Sequence, residues 1–438
     1  MNNNFTPGAF YLFLIVIMSC NFATGEKAGK TTFHTKAILI PSEKFLFKSF
    51  VDCNMATVWI ADTFRIFPGK YGEDPLWGNA HELKYASGNT VDEVFAKKPT
   101  EFREPSMPAN AEPRKPGLHG AVWFETLYKD PRDKKDHTLY ALYHNENYPS
   151  TFPYNTASGA GYLDINWPQG LKGPGTKTAV CRIGIMKSTD AGKSWKDNGI
   201  VLEDHQPRLI LMPHNTGINF AGGTGDPSAI VSGDYLYIFY GEYGYPGRYN
   251  AASYDRLTEW SGQCISIARI QLSDLDNPVT KARRWNGKSF EAEPDSTGAP
   301  VSSLQIPLKQ GGGPASSATA KYFWGPSVSW NNYLNCWVML MAKAEGPSWK
   351  GSSIYISFNP NADLGSGTNS QQWSIPGLLL DKPGHTIWYP SLQPFNTTED
   401  KLNRYTSVYL GKKDRLFFKD MYADKSDYVS EYIIEFNK

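Results

Sequence analysis

The chain lacks an excess of charge of either sign. Its 438 residues carry 44 lysines and arginines against 43 aspartates and glutamates, a net charge of +1. That balance excludes the basic stripe expected of a nucleic-acid binder, so no nucleic-acid partner is expected. Only five cysteines are present, at positions 20, 53, 181, 264 and 336, and none sits at metal-ligand spacing. Cys264 and Cys336 lie in strand-like runs and read as buried thiols, and an exported chain has scope for one or two disulfides. No segment of twelve or more residues keeps an i, i+3, i+4 apolar rhythm, so helices are scarce. Phosphate-binding glycine loops, dinucleotide fingerprints, serine nucleophile elbows and zinc-helix motifs are all missing.

The one long apolar run is Phe10 to Met18, nine residues. As a helix it rises roughly 13–14 Å, under half a bilayer core, so no membrane span is expected. Followed by small residues, it reads as the core of a signal peptide occupying residues 1–25, although no Lys or Arg precedes Lys27. Ile17-Met18-Ser19-Cys20 also has the form of a lipoprotein cleavage box, with Cys20 as the lipid anchor. The expected location is secreted or periplasmic, with or without a tether to the cell envelope. Residues 26–438 are expected to form a single domain, acting as a monomer.

Aromatics are abundant, 14 % of the chain, alongside 39 glycines and 30 prolines. Short apolar runs broken by turn residues recur throughout, which is the signature of an all-β protein. Some of these runs share an opening. Gly225-Asp226-Pro227-Ser228 leads into Tyr235–Tyr240, and Trp324-Gly325-Pro326-Ser327 into Cys336–Met341. Trp388-Tyr389-Pro390-Ser391 leads to Tyr405–Tyr409, and His119–Glu125 to Thr138–Tyr143. A region around Val58–Phe67 supplies a fifth unit, and Tyr432–Phe436 is placed to close a ring. Radial repetition of hairpins limits exposed sheet edges, so the expected fold is a five-bladed β-propeller. The proline-rich stretch 99–116 reads as a surface loop between units. Ser188-Thr189-Asp190-Ala191-Gly192-Lys193-Ser194-Trp195 fits the Asp-box, a turn motif in which Ser188, Asp190, Gly192 and Trp195 have structural roles.

With these motifs in hand, the layout resembles the five-bladed β-propeller glycoside hydrolases, the broad group that includes family 43, with one sialidase-type Asp-box. The resemblance covers about residues 120–395. It implies hydrolysis of glycosidic bonds in a polysaccharide or oligosaccharide, using three carboxylates on inner strands: a base, an acid and a third that tunes the acid. Asp226 maps onto the tuning position. Where the group's Glu-Gly-Pro carries the acid, this chain has Trp324-Gly325-Pro326, so Glu125 is the replacement carboxylate. Period-two alternation puts Ala121, Trp123 and Glu125 on one strand face. For the first blade, Asp52 and Asp62 are the candidates, with Asp62 taken as the third catalytic carboxylate. His119, Trp123, His144, Glu146, Trp324, Trp388 and Tyr389 are expected to bind substrate, the aromatics by stacking on sugar rings.

The resemblance requires no cofactor; a central calcium or other ion is compatible with it. The alternative is a non-catalytic carbohydrate-binding propeller, which Trp324 in the acid position favours. A sialidase would need converging arginines, for which Arg65, Arg182 and Arg248 are the candidates, and a polysaccharide lyase would use His119 or His144 as base.

Overall fold

The structure, a computed structural model, describes residues 36–48, 51–73, 80–112, 117–135, 137–147, 179–203, 220–242, 264–296, 298–306, 321–345, 349–365, 370–395 and 407–438. The signal-peptide and lipid-anchor expectations for residues 1–25, and Arg248, lie outside them. Strands dominate, and among the described residues the one α-helix is the five-residue Val91–Phe95.

Five antiparallel units follow one another along the chain. Blade 1 is Thr57–Ile60, Thr63–Ile66 and Ala86–Gly88. Blade 2 is Ala121–Lys129, Leu139–Asn147, Ala179–Ser188 and Lys196–Leu202. Blade 3 runs Phe220–Ser232, Tyr235–Glu242, Cys264–Gln271 and Arg283–Trp285, with Phe290–Ala292 beyond. Blade 4 is Lys321–Asn331, Cys336–Glu345, Ser353–Asn359 and Gly377–Asp381. Blade 5 takes Thr386–Pro394, Lys413–Tyr422 and Lys425–Asn437, and its outermost strand is Lys36–Phe47, paired from Lys36↔Asn437 to Phe47↔Tyr428.

The packing shows that these units form a ring. Successive side chains of a strand point to opposite faces, so a sheet with a neighbour on each side needs apolar residues at odd and even positions alike. In Cys336–Glu345, Met339 and Met341 pack toward blade 3 with Phe239 and Ile267, while Val338 and Leu340 pack toward blade 5 with Leu416 and Phe418. In Lys413–Tyr422, Phe417 faces the other way, onto Phe64 and Phe95 of the first blade region, with Phe47 of blade 5 in the same cluster. Blades 1 and 2 share Val58, Phe67, Phe124 and Trp195, and blades 2 and 3 share Leu142, Ile185, Ile238 and Tyr240. Five inter-blade cores, the last joining blade 5 to blade 1, make this a five-bladed β-propeller. Burying each such large side chain is worth about 1.5–3 kcal/mol.

The four cysteines among the described residues are buried and no disulfide joins them, so the scope for disulfides between them is not used. The stretch 99–112 is more than a surface loop. Phe102 is buried, Arg103 pairs with Tyr85, and Ser106 exchanges backbone hydrogen bonds with Lys193 and Trp195 of the Asp-box. That turn closes as its motif requires. Asp190 accepts the backbone N–H groups of Lys193 and Ser194 at 3.1 and 2.9 Å, Gly192 takes φ 83°, and Trp195 is buried against Phe67 and Phe124. It lies on the side of blade 2 facing blade 1, away from the axis.

Candidate active site

Each of blades 2 to 5 carries one extra residue in its innermost strand. The register skips at Phe124/Thr126, Gly225/Ser228, Trp324/Ser327 and Trp388/Ser391. Such bulges re-aim a side chain and release a backbone group from the ladder. In blades 3, 4 and 5 the residue before the proline is left-handed: Asp226 at φ 47°, Gly325 at φ 57° and Tyr389 at φ 49°. In blade 2 the extra residue is Glu125. The repeated x-Pro-Ser opening is thus a bulge whose first residue is the variable position.

Immediately after the bulge each blade presents a hydroxyl. Thr126, Ser228, Ser327 and Ser391, with Thr57 from blade 1, line a narrow cavity with room for about one water, and Glu125 lines it too. These hydroxyls tie neighbouring blades together. Ala229 N–H donates to Thr126 Oγ1 at 3.2 Å, and Val328 N–H donates to Ser228 Oγ at 2.9 Å.

At this position Glu125, His144 and Asp226 converge, all buried, with acid and imidazole atoms within 4.8 Å of one another. Asn54, just before blade 1, donates its backbone N–H to Glu125 Oε2 at 2.7 Å and its side-chain amide to the Pro326 carbonyl at 3.2 Å. Burial pushes the Glu125 carboxyl well above the usual range, and the Asp226 charge raises it further, against the opposing Asn54 hydrogen bond. Asp226 N–H donates to His144 Nδ1 at 3.0 Å, so Nδ1 carries a lone pair and the neutral ring bears its proton on Nε2. Burial holds the His144 pKa down to about 4, in keeping with that neutral tautomer. Trp123 packs edge-on against the ring at 5.6 Å, and Glu146 Oε1 lies 4.0 Å from His144 Nε2.

The other expected residues distribute as follows. Tyr389 O–H donates to Asp226 Oδ1 at 3.4 Å. Trp324 is buried with its ring 5.3 Å from Tyr389 and 5.5 Å from Trp388, whose Nε1–H donates to the Trp349 carbonyl at 2.8 Å. His119 is buried before the Glu125 strand, its carbonyl held by the Asn145 amide at 2.7 Å, but its ring is outside the Glu125–His144–Asp226 group. Asp62 is the clear correction. It is exposed in the turn between Ile60 and Thr63, where the hairpin reverses. Asp52 is the first-blade carboxylate near the group: it is ion-paired with Lys419 at 2.6 Å and its charge is felt by Glu125 and His144.

Two further residues could not be singled out from the sequence. Asn54 stands in no recognisable motif, and Trp349 lies outside the strands. Among the described residues, Arg65 and Arg182 do not converge as a sialidase needs. Arg182 is spent on Asn145 Oδ1 and lies 3.7 Å from Glu203, while Arg65 bonds Ser87 and the Ala191 carbonyl within the Asp-box.

Among the described residues, a resident metal would have to use Glu125, His144 and Asp226, and they fit one poorly. The Nδ1 lone pair is committed to Asp226 N–H, and it stands 3.9 Å from Asp226 Oδ1, where tetrahedral zinc sets ligand atoms about 3.3 Å apart. Calcium, for its part, takes oxygen donors.

The solved structures that the chain resembles include glycosidases. No family model matches the sequence, and no curated protein matches it either. A xylan β-1,4-xylosidase from Bacillus halodurans is similar at 11 % identity and TM-score 0.40, over 91 % of this chain and 54 % of the xylosidase, so the chain spans about half of that protein. The family 93 α-L-arabinofuranosidase of Fusarium graminearum with arabinobiose is similar at 10 % identity and TM-score 0.43, over 91 % and 98 %. The Bacillus subtilis arabinanase is similar at 10 % identity and TM-score 0.43, over 89 % and 94 %.

Proposed function

We propose that the protein is a glycoside hydrolase acting on a polysaccharide or oligosaccharide, with Glu125 as proton donor. The observation that carries this reading is the meeting of two buried carboxyl groups from adjacent blades, one of which has every physical reason to keep its proton. Glycosidic cleavage needs such an acid to protonate the departing oxygen, and an ionised carboxylate to act on the other side of the sugar.

Asp226 and Glu125 stand too close to admit a water between them in the inverting manner, which requires about 6.5–9.5 Å between carboxyl groups. Asp226 therefore serves as the charge that keeps Glu125 protonated. Asp52, just before the first blade and paired with Lys419 at 2.6 Å, is the proposed base that activates water. Neutral His144 fixes the Asp226 backbone, and the half-buried Trp388, backed by Trp324 and Tyr389, offers aromatic surface for a sugar ring. The apolar run Phe10–Met18 supports export as the setting for such a substrate.

The test is hydrolysis of a panel of arabinan, xylan, galactan and glucan polymers and their oligosaccharides by the purified protein, beside Glu125→Gln and Asp226→Asn. The expected result is cleavage of at least one glycan, with kcat reduced roughly 10²–10⁴-fold in Glu125→Gln. Cleavage by both variants at the parent rate would remove these residues from the chemistry. A second reading rests on Trp324 and its packed neighbours Trp349, Trp388 and Tyr389: a non-catalytic carbohydrate-binding propeller. Binding of a glycan by the parent with no cleavage of any panel member would favour it.

A further inference from the structure

The chain between a blade's first two strands is short in most of this fold. It is 61–62 in blade 1, 130–138 in blade 2, 233–234 in blade 3 and 332–335 in blade 4. In blade 5 it is 395–412, the longest of the five. Its described part, 407–412, does not stay with blade 5. Tyr409–Leu410 pairs in parallel with the far end of the innermost strand of blade 4, as Trp330↔Tyr409 and Asn331↔Leu410. Trp330 N–H donates to the Val408 carbonyl at 2.8 Å, Asn332 N–H to the Leu410 carbonyl at 2.9 Å, and Ser329 Oγ to the Ser407 carbonyl at 2.5 Å. In the other direction, Ser407 Oγ lies 3.0 Å from Thr57 Oγ1 of blade 1.

Blades 1 and 4 are not neighbours in the ring, since blade 5 stands between them. A segment that bonds to both, and that shares a cavity with Thr126 of blade 2 and Ser228 of blade 3, lies across the axis. Its level follows from the strand it joins. Residues 329–331 lie beyond the Gly325 bulge toward the end of Lys321–Asn331, about 3.3 Å further along for each residue. The segment therefore crosses on the side of the cavity away from the bulges. Its two faces differ: Ser407 and Val408 line the narrow cavity that Glu125 also lines, whereas Tyr409 is exposed. Val408 packs besides against the apolar core between blades 3 and 4.

We propose that residues 407–410 are an axial plug, which closes the base of the central channel and keeps solvent from reaching Glu125 from beneath. The purpose of the plug rests on the reading of Glu125 as proton donor. An acid that must hold its proton is served by every wall that keeps water from its ionised form, and burial is the largest cause of the raised Glu125 pKa. A channel open at the base would hydrate the carboxylate and draw it back toward the ordinary range. Ser407 and Val408 are positioning residues in this account: they form the wall opposite the acid and act through Glu125.

The test is the pH titration of the Glu125 carboxyl, followed by carbon-13 NMR in the parent, Val408→Ala and Leu275→Ala. Trimming Val408 widens a cavity lined by hydroxyls, which takes up water. Leu275 is the control: it is fully buried in the core between blades 2 and 3 and does not line the cavity, so its truncation costs stability without opening the wall. The expected result is a Glu125 midpoint lower by about half a pH unit or more in Val408→Ala, a roughly threefold weaker hold on the proton, and an unmoved midpoint in Leu275→Ala. An unmoved midpoint in Val408→Ala would overturn the plug and leave the hydrolase reading standing. An equal fall in Leu275→Ala would trace the effect to general loosening and would also overturn it. An ordinary midpoint in the parent would overturn both the plug and the proton donor. The readout needs no substrate, so it stands apart from the glycan panel. If Val408→Ala does not fold, Ser407→Gly, which thins the same wall and keeps the backbone pairing, takes its place; failure of both to fold would show that the segment serves the fold and not the acid, against the proposal.

Discussion

Single residues decide the electrostatics of the candidate site. Glu125 has its pKa raised in the folded state, so the unfolded chain holds fewer protons above the ordinary carboxyl pKa of 4.5. Its contribution to stability is therefore present below pH 4.5 and is lost as pH rises. Glu125→Gln removes that loss. The variant should match the parent near pH 4.5 and become the more stable of the two toward pH 7, by an amount that grows by about 1.4 kcal/mol per pH unit until the folded pKa is passed. Urea melts at half-unit pH steps check this; a parent as stable as the variant at pH 7 would contradict it. His144 works in the opposite sense. With its folded pKa at about 4 against 6.5 unfolded, its contribution is intact above pH 6.5 and is lost as pH falls toward 4, by on the order of 3 kcal/mol. His144→Ala should abolish that slope and cost about 1–3 kcal/mol at neutral pH by stranding the Asp226 N–H. His144→Asn, whose side-chain oxygen replaces Nδ1 as acceptor, should abolish the slope and recover most of the stability.

This is also the scale at which the sequence is least informative. Glu125 and Asp226 stand out as acids beside apolar strands, and the structure brings them together. Asp62 fails because a carboxylate near a strand end looks alike in sequence whether it sits in the hairpin turn or, like Asp52, toward the axis. Asn54 has no signal at all, since its bond to Glu125 is made by a backbone N–H, which every residue but proline possesses.

Strands carry the next level of the account. The repeated Pro-Ser opening marks a real structural unit, legible because proline and a small hydroxyl residue recur at fixed offsets from an apolar run. Its meaning as a bulge is not legible, since alternation alone cannot show where a register skips. In blades 2 and 3 the hydroxyl that follows the bulge takes up an N–H of the next blade. Ser228→Ala should leave Val328 N–H without its acceptor and destabilise the protein by about 1–3 kcal/mol, while Ser228→Thr, which keeps the hydroxyl, should lose less. Equal stability of Ser228→Ala and the parent in chemical denaturation would contradict the idea that these hydroxyls stitch the blades. The Asp-box was the most legible element, because its turn is closed by residues within one heptapeptide-scale stretch. Helix Val91–Phe95 was missed, being too short to show a rhythm; Thr90 caps it by accepting the Glu93 N–H at 3.1 Å.

At the scale of the molecule, the short apolar runs announce an all-β protein, and the count of five blades can be read from repeated openings. The partner of the last strand could not. Tyr432–Phe436 signals a strand, but nothing local identifies Lys36–Pro41 as its mate across the whole length of the chain. Ring closure matters to function because it fixes blades 2 and 3 at a set angle, so that a glutamate and an aspartate about a hundred residues apart must share one buried space. The most direct test is carbon-13 NMR titration of glutamate side-chain carboxyls, with the Glu125 signal assigned by its absence in Glu125→Gln. The account predicts a midpoint well above 4.5 in the parent and a lower one in Asp226→Asn, where the neighbouring charge is gone. A Glu125 carboxyl that titrates in the ordinary range, indifferent to Asp226, would contradict it.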